Sequence, residues 1–106
     1  MDVVFAYVTA GSAEEAQRIA RAIVSERLAA CANMVRGMRS VYWWQGEMGE
    51  AEETVVLFKT RRDQFDALAA RVQELHSYDC PCVVALPVTA GLPAYLGWIS
   101  CESAAR

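Results

Sequence analysis

The sequence predicts an α+β sandwich: a four-stranded antiparallel sheet with two helices on one face, in the order β-α-β-β-α-β plus a short terminal helix. This is the split-βαβ plan of a ferredoxin-like fold. Three observations carry the prediction. Two segments with apolar residues at helical spacing alternate with short apolar runs of strand type. The stretch from Ala32 to Gln45 is rich in β-branched and aromatic residues and has no helical period. The polar, glycine-containing run Gln45-Gly46-Glu47-Met48-Gly49-Glu50 then separates it from a second strand-like segment, Glu52 to Thr60, so the pair reads as a hairpin.

Val3 to Thr9 is an apolar run closed by Ala10-Gly11, the pattern of a buried strand. Ser12 followed by Glu15 is a capping-box signature. Ala16, Ile19, Ala20, Ile23 and Leu28 then recur on one helical face, with Glu14, Arg18, Arg21 and Glu26 largely opposite. After the hairpin, Thr60-Arg61-Arg62-Asp63 again matches a capping box, and Phe65, Leu68, Ala69, Val72 and Leu75 supply a second amphipathic face over residues 62–75. His76-Ser77-Tyr78-Asp79-Cys80-Pro81 is a connection, and Cys82 to Leu86 is the fourth strand, ending at Pro87. Gly91-Leu92-Pro93 opens the terminal helix, with Pro93 in its first turn and Leu96 and Ile99 inward.

The hairpin is long for its domain. Ala32 to Gln45 is fourteen residues, about 46 Å if extended at roughly 3.3 Å each, against about 30 Å for the diameter of a small domain. It must overhang the core or bend sharply. An overhang carrying Tyr42, Trp43 and Trp44 exposes strand edges and aromatic surface that invite aggregation unless another chain covers them. The expectation is an oligomer. Trp43 and Trp44 alternate across the strand, so one is expected in the core and the other at an interface or cleft, while Trp98 is expected to pack the terminal helix.

Composition agrees. The 106 residues suffice for one domain, and 55% are apolar with 22% charged, above and slightly below the ordinary ranges. A chain this short buries only about two-thirds of its unfolded surface alone, so the apolar excess points to a subunit interface. The net charge of −3, with no basic cluster beyond Arg61-Arg62, argues against a nucleic-acid partner. No segment has the ~18 apolar residues of a membrane span, and the N-terminus has no signal-type pattern. A cytosolic location is expected. The four cysteines, Cys31, Cys80, Cys82 and Cys101, are then free thiols or metal ligands rather than disulfides.

Several occupants of this fold are excluded by their chemistry. Val55-Val56-Leu57-Phe58-Lys59 does not resemble the aromatic, basic strand of an RNA-recognition module. The loop before the first helix, Thr9-Ala10-Gly11-Ser12, has neither the paired cysteines of a soft-metal chaperone nor the arginine-bearing anion loop of an acylphosphatase. The single histidine, His76, has Ser77 and Asp79 near it in sequence, but adjacency in a loop is not triad geometry. It reads instead as a helix-terminal residue whose imidazole serves the last carbonyls.

Cys80-Pro81-Cys82 places two sulfurs on one face of an extended segment. With His76 nearby, they form part of a site for a soft or borderline ion such as Cu(I) or Zn(II). The alternative is a pair of small buried hydrophobes. Cys31, following Leu28-Ala29-Ala30, is expected in or near an interface. Glu47, Glu50, Glu52 and Glu53 gather toward the hairpin tip. They can hold a hard divalent cation weakly or simply keep the tip solvated and unpaired.

Six landmarks in order complete the pattern: Leu28-Ala29-Ala30-Cys31-Ala32-Asn33, Ser40-Val41-Tyr42-Trp43-Trp44-Gln45-Gly46, Lys59-Thr60-Arg61, His76-Ser77-Tyr78-Asp79-Cys80-Pro81, Ala85-Leu86-Pro87-Val88 and Tyr95-Leu96-Gly97-Trp98-Ile99. Along nearly its whole length the chain resembles the CutA divalent-cation tolerance family. The resemblance implies a single CutA-like domain over residues 1–106 and a homotrimer in which long hairpins join sheets between subunits. It also implies an architecture similar to the PII signalling proteins and a role in tolerance of copper and other divalent ions; neither catalytic activity nor an organic cofactor is expected, since a hydrolase on this scaffold would lack a nucleophile–base pair in the sequence. Two functional classes follow from it. One is metal binding through Cys31, His76, Cys80 and Cys82. The other is a PII-like module binding a small molecule or a partner protein in inter-subunit clefts lined by Tyr42, Trp44, Lys59, Tyr78 and Trp98. The chain departs from the family in having Ser77 where proline is usual and Cys82 where an acidic residue is usual, which shifts that loop toward softer ions.

Overall fold

The computed structural model describes residues 2–104. In chain order it contains β1 (Val3–Ala10), α1 (Ala13–Ser25), β2 (Cys31–Trp44), β3 (Glu47–Arg61), a 3-10 turn at Arg62–Gln64, α2 (Phe65–Leu75), β4 (Val83–Pro87) and α3 (Pro93–Glu102). The strands form one antiparallel sheet in the order β2-β3-β1-β4. This is the α+β, ferredoxin-like arrangement that the alternation of patterns predicts.

The core lies between one sheet face and the two long helices. Ala6 and Val8 of β1 and Val56 and Phe58 of β3 meet Ile19 and Ile23 of α1 and Leu68 and Val72 of α2, all with 0% exposure. Burying each of these side chains larger than alanine stabilises the fold by about 1.5–3 kcal/mol. Phe65 and Leu75 are half-buried at the edge of this cluster. Ser12 caps α1 as its sequence suggests, its hydroxyl accepting from Glu15 N–H at 3.1 Å. The helix ends earlier than its apolar spacing implies. Arg27 takes a left-handed φ of 62°, and the N–H groups of Arg27 and Leu28 return to the carbonyls of Val24 and Ile23, a Schellman closure built without glycine.

The second capping box does not form. The Thr60 hydroxyl donates instead to the Leu28 carbonyl at 2.6 Å, a tertiary partner that outcompetes the local one, and the chain enters α2 through the 3-10 turn. Among the described residues no helix is long and apolar enough to cross a membrane.

The hairpin overhangs. β1 pairs with β3 only from Thr54 to Arg61, so the segment from Glu47 to Glu53 continues past the sheet with β2 as its sole strand neighbour. The molecule measures 44 × 26 × 21 Å. Three details differ from the sequence expectation. The turn is only Gln45-Gly46, both at positive φ, the geometry of a two-residue hairpin loop. Glu47, Glu50, Glu52 and Glu53 are therefore spread along β3, opposite Trp44, Val41, Arg39 and Met38, rather than clustered at a tip. Neither hairpin tryptophan enters the core, Trp43 being 73% and Trp44 55% exposed. Between the pairs Val35–Val55 and Met38–Glu53 the register slips, a bulge with Gly37 at φ 77°.

Candidate functional site

Where the hairpin leaves the sheet, it faces the loop that follows α2. That loop is fastened from below. His76 closes α2 through its backbone N–H to the Val72 carbonyl. Its buried ring turns away from the helix carbonyls to β1, with Nε2 2.7 Å from the Thr9 carbonyl oxygen and Nδ1 accepting from Tyr78 N–H at 3.0 Å. A carbonyl only accepts and an amide N–H only donates. These partners assign the donor role to Nε2 and the acceptor role to Nδ1.

Glu15 completes the fastening, its Oε2 accepting from Ser77 N–H at 2.8 Å and its Oε1 from Gly11 N–H at 3.3 Å. Burial alone would raise the Glu15 pKa, but hydrogen bonds from Ser77 and Gly11 outweigh it and hold the carboxyl below its ordinary value.

The fastened loop delivers Tyr78 to the hairpin. Its hydroxyl donates to Glu53 Oε2 at 3.2 Å, while the Ser40 hydroxyl donates to Oε1 of the same carboxylate at 2.7 Å. A Cβ on Gly11 would stand 3.0 Å from the Tyr78 hydroxyl, so the bare glycine makes room for the phenol. Burial first, and then the Glu53 charge, raises the Tyr78 pKa and keeps the phenol neutral. On the hairpin, the Tyr42 ring lies over Gly49, where an added Cβ would come within 3.1 Å of it. A bare glycine in a strand thus fixes an aromatic neighbour.

These groups enclose a cleft of about 500 Å³ lined by Thr9, Tyr42, Trp43, Trp44, Glu53, Tyr78, Asp79, Cys80 and Cys82. Both cysteines are exposed and free. Partial burial against the cleft wall, then the Glu53 charge, pushes the Cys82 thiol up even though the residue as a whole is exposed. The lining holds carboxylates, thiols, hydroxyls and aromatic rings but no lysine, arginine or histidine, which suits a cation. A second cleft, at Asp2, Arg61, Arg62 and Asp63, is dominated by the Arg61–Asp63 ion pair at 2.6 Å, which satisfies its own charges.

The residues singled out from the sequence divide into groups. Of the four candidate ligands, Cys80 and Cys82 come together in the cleft. Cys31 does not, because it pairs across β2–β3 with Lys59, six positions along β3 from Glu53, about 20 Å of strand. In this arrangement His76 has no free ring nitrogen to offer, since both are hydrogen-bonded. Among the described residues no group of three or more His, Cys, Asp or Glu side chains is placed to hold a metal ion.

Of the aromatic set, Tyr42, Trp44 and Tyr78 share the cleft. Lys59 and Trp98 belong to a separate cluster. There the Lys59 ammonium donates to the Tyr95 hydroxyl at 2.9 Å and lies 5.4 Å from the Phe5 ring centre, and Trp98 stacks on Tyr95 at 5.6 Å. The bond to Tyr95 raises the Lys59 pKa. Glu53 and Asp79 were not among the sequence candidates for the cleft. The available signal for Glu53 was its alternation with Val55, Leu57 and Lys59 on one strand face.

Comparison with known proteins agrees with this architecture. The model of the CutA1 divalent ion tolerance protein family matches residues 4–102. The divalent-cation tolerance protein CutA of Thermus thermophilus is 48% identical over 92 residues, covering 87% of this chain and 89% of that protein. The CutA protein of Archaeoglobus fulgidus is 41% identical over 95 residues, covering 90% and 92%. Against the chloroplastic CutA 1 protein of Oryza sativa, which is 45% identical, this chain spans about half of the relative's length, 52%. Among solved structures, CutA from Xylella fastidiosa superposes with a TM-score of 0.94 at 38% identity, covering 98% of this chain and all of that one. The periplasmic divalent cation tolerance protein CutA from Archaeoglobus fulgidus gives 0.93 at 38% identity, covering 96% and 99%. The chain therefore belongs to the CutA1 family of divalent ion tolerance proteins.

Proposed function

We propose that this protein serves metal tolerance as a cytosolic homotrimer that binds a soft ion, copper(I) foremost, through Cys80 and Cys82. The observation that carries the reading is the placement of two free thiols in one accessible cleft beside a carboxylate. Thiolates favour Cu(I) and Zn(II) over Mg(II) and Mn(II). Two sulfurs are too few for a closed four-coordinate site. Either the ion stays two-coordinate or a neighbouring subunit completes its shell. The trimer is supported by the overhanging hairpin, with Val41 and Met48 exposed on it outside the cleft, and by the exposed Val84 and Leu86 on β4. A reducing cytosol keeps the thiols available. A binding role is supported by the lone imidazole, whose two ring nitrogens are both taken up by backbone partners.

The test is Cu(I) competition against a chromophoric chelator, comparing the parent with Cys80→Ser and Cys82→Ser. Affinity should fall by about 100-fold or more in each variant, since loss of even a supporting group around a metal commonly costs 10–100-fold. It should also rise with pH as the thiols lose their protons. Equal affinities would remove the cysteine pair from the function.

A second reading, a PII-like module that takes a small molecule in the cleft, is favoured by one observation. Tyr42, Trp44 and Tyr78 line it, and a bare metal ion has no use for aromatic walls.

A further inference from the structure

We infer that the cleft between the hairpin and the loop after α2 is a binding site for a small organic cation, an alkylated ammonium held by Tyr42, Trp44 and Tyr78 against the Glu53 carboxylate. The inference rests on the second reading above and names its ligand class.

Four observations bear on it. The aromatic residues Tyr42, Trp43, Trp44 and Tyr78 line one cleft, and ring faces carry the negative lobe of their quadrupole, which attracts cations and most of all those whose charge is spread over alkyl groups. The ionisable oxygen acids in the lining are Glu53 and Asp79, with no basic side chain to offset them. An anion would be repelled there.

Glu53 is also held in place before any ligand arrives. Ser40 and Tyr78 each donate a hydroxyl hydrogen to a different one of its oxygens, and the remaining lone pairs are left for a cation. Tyr78 is held in turn by the Glu15–Ser77 and His76–Tyr78 backbone bonds. Finally, the volume, about 500 Å³, is within the range of small-molecule sites and far beyond what one ion fills. A ligand with an organic body and a positive head satisfies the rings, the carboxylate and the space together.

The experiment is a tryptophan-emission titration of the full chain at constant ionic strength, Trp43 and Trp44 being the reporters. The probe is (2-hydroxyethyl)trimethylammonium chloride, and its uncharged isostere 3,3-dimethyl-1-butanol is the control. The parent should give a saturable change with the ammonium and bind the isostere weaker by about tenfold or more, the fold-change expected for a desolvated cation–π contact backed by a carboxylate. Glu53→Gln should weaken the ammonium about tenfold and leave the isostere unchanged. Tyr78→Leu should weaken it similarly, while Tyr78→Phe, which keeps the ring and guards against mere loosening of the loop, should retain most of the affinity.

Equal binding of the two probes, or no effect of Glu53→Gln, overturns the inference. If only the isostere saturates, the ligand class falls while the small-molecule reading stands. If neither probe saturates, the inference falls. The Cu(I) competition then decides the metal reading separately.

Discussion

Glu15 is the residue through which the cleft can be loosened from a distance. Its carboxylate lies under the loop that carries Tyr78 and Cys80, and accepts from Ser77 N–H at 2.8 Å and from Gly11 N–H at 3.3 Å. In Glu15→Gln the amide oxygen can keep the Ser77 bond at neutral strength, but its NH2 group then confronts the Gly11 N–H. A hydrogen bond to a charged group is worth about 1.5–3 kcal/mol and a neutral one about half as much, so the loss should be about 2 kcal/mol. With a urea slope of about 1–3 kcal/mol per molar, the midpoint should fall by about 1 M.

The pH dependence has a definite sign. The folded pKa of Glu15 is depressed relative to an unfolded value of about 4.3. Its stabilisation is thus fully present above that value and is lost as pH falls through the lower folded one. Urea unfolding of parent and variant at fixed protein concentration should show the full gap at neutral pH, closing in acid below about pH 4. No gap at neutral pH, or a gap that persists undiminished in strong acid, would refute the role assigned to this carboxylate.

Light scattering at micromolar concentration should return three times the chain mass of 11.7 kDa, and thermal stability should rise with protein concentration because assembly is linked to folding. A single-chain mass would remove the trimer. Cys31, Cys80 and Cys82, none of them in a disulfide, should titrate as thiols together with Cys101, four in all, in denaturant on anaerobically purified protein. Pro81 stiffens the backbone between Cys80 and Cys82 and disfavours a relaxed bridge, so a count below four would contradict this.

What could be foreseen from the sequence was whatever a local pattern decides. The inward faces Ile19–Ile23 and Leu68–Val72 and the Ser12 cap follow from spacing alone, and the structure contains them. What escaped was decided by distant partners. Thr60 looks like a helix cap until the Leu28 carbonyl is seen to claim its hydroxyl. His76 looks like a helix-end imidazole or a ligand until Thr9, sixty-seven residues away, takes its Nε2 hydrogen. Tyr42, Trp44 and Tyr78 are pointed to by the family resemblance, but their union with Glu53 depends on where the loop after α2 meets the hairpin, and no periodicity encodes that. The turn reads longer in the sequence than the two residues it takes, because Gln45 occupies a left-handed position where Asn or Asp before Gly is the usual signal.

The bulge at Arg36-Gly37 has a consequence for which changes the hairpin can tolerate. Between Val35–Val55 and Met38–Glu53, β2 advances three residues while β3 advances two. The odd residue resets the parity of everything beyond it, so Met38, Ser40, Tyr42 and Trp44 fall on the side of Glu53, while Arg39, Val41 and Trp43 fall opposite. Deleting Gly37 would exchange the two sets, withdrawing Tyr42 and Ser40 from the cleft and sending Arg39 toward it, a cation in a place built to receive one. The length of this hairpin is therefore quantised. It can grow or shrink by two residues and keep its chemistry, but a change of one between the bulge and the turn inverts it.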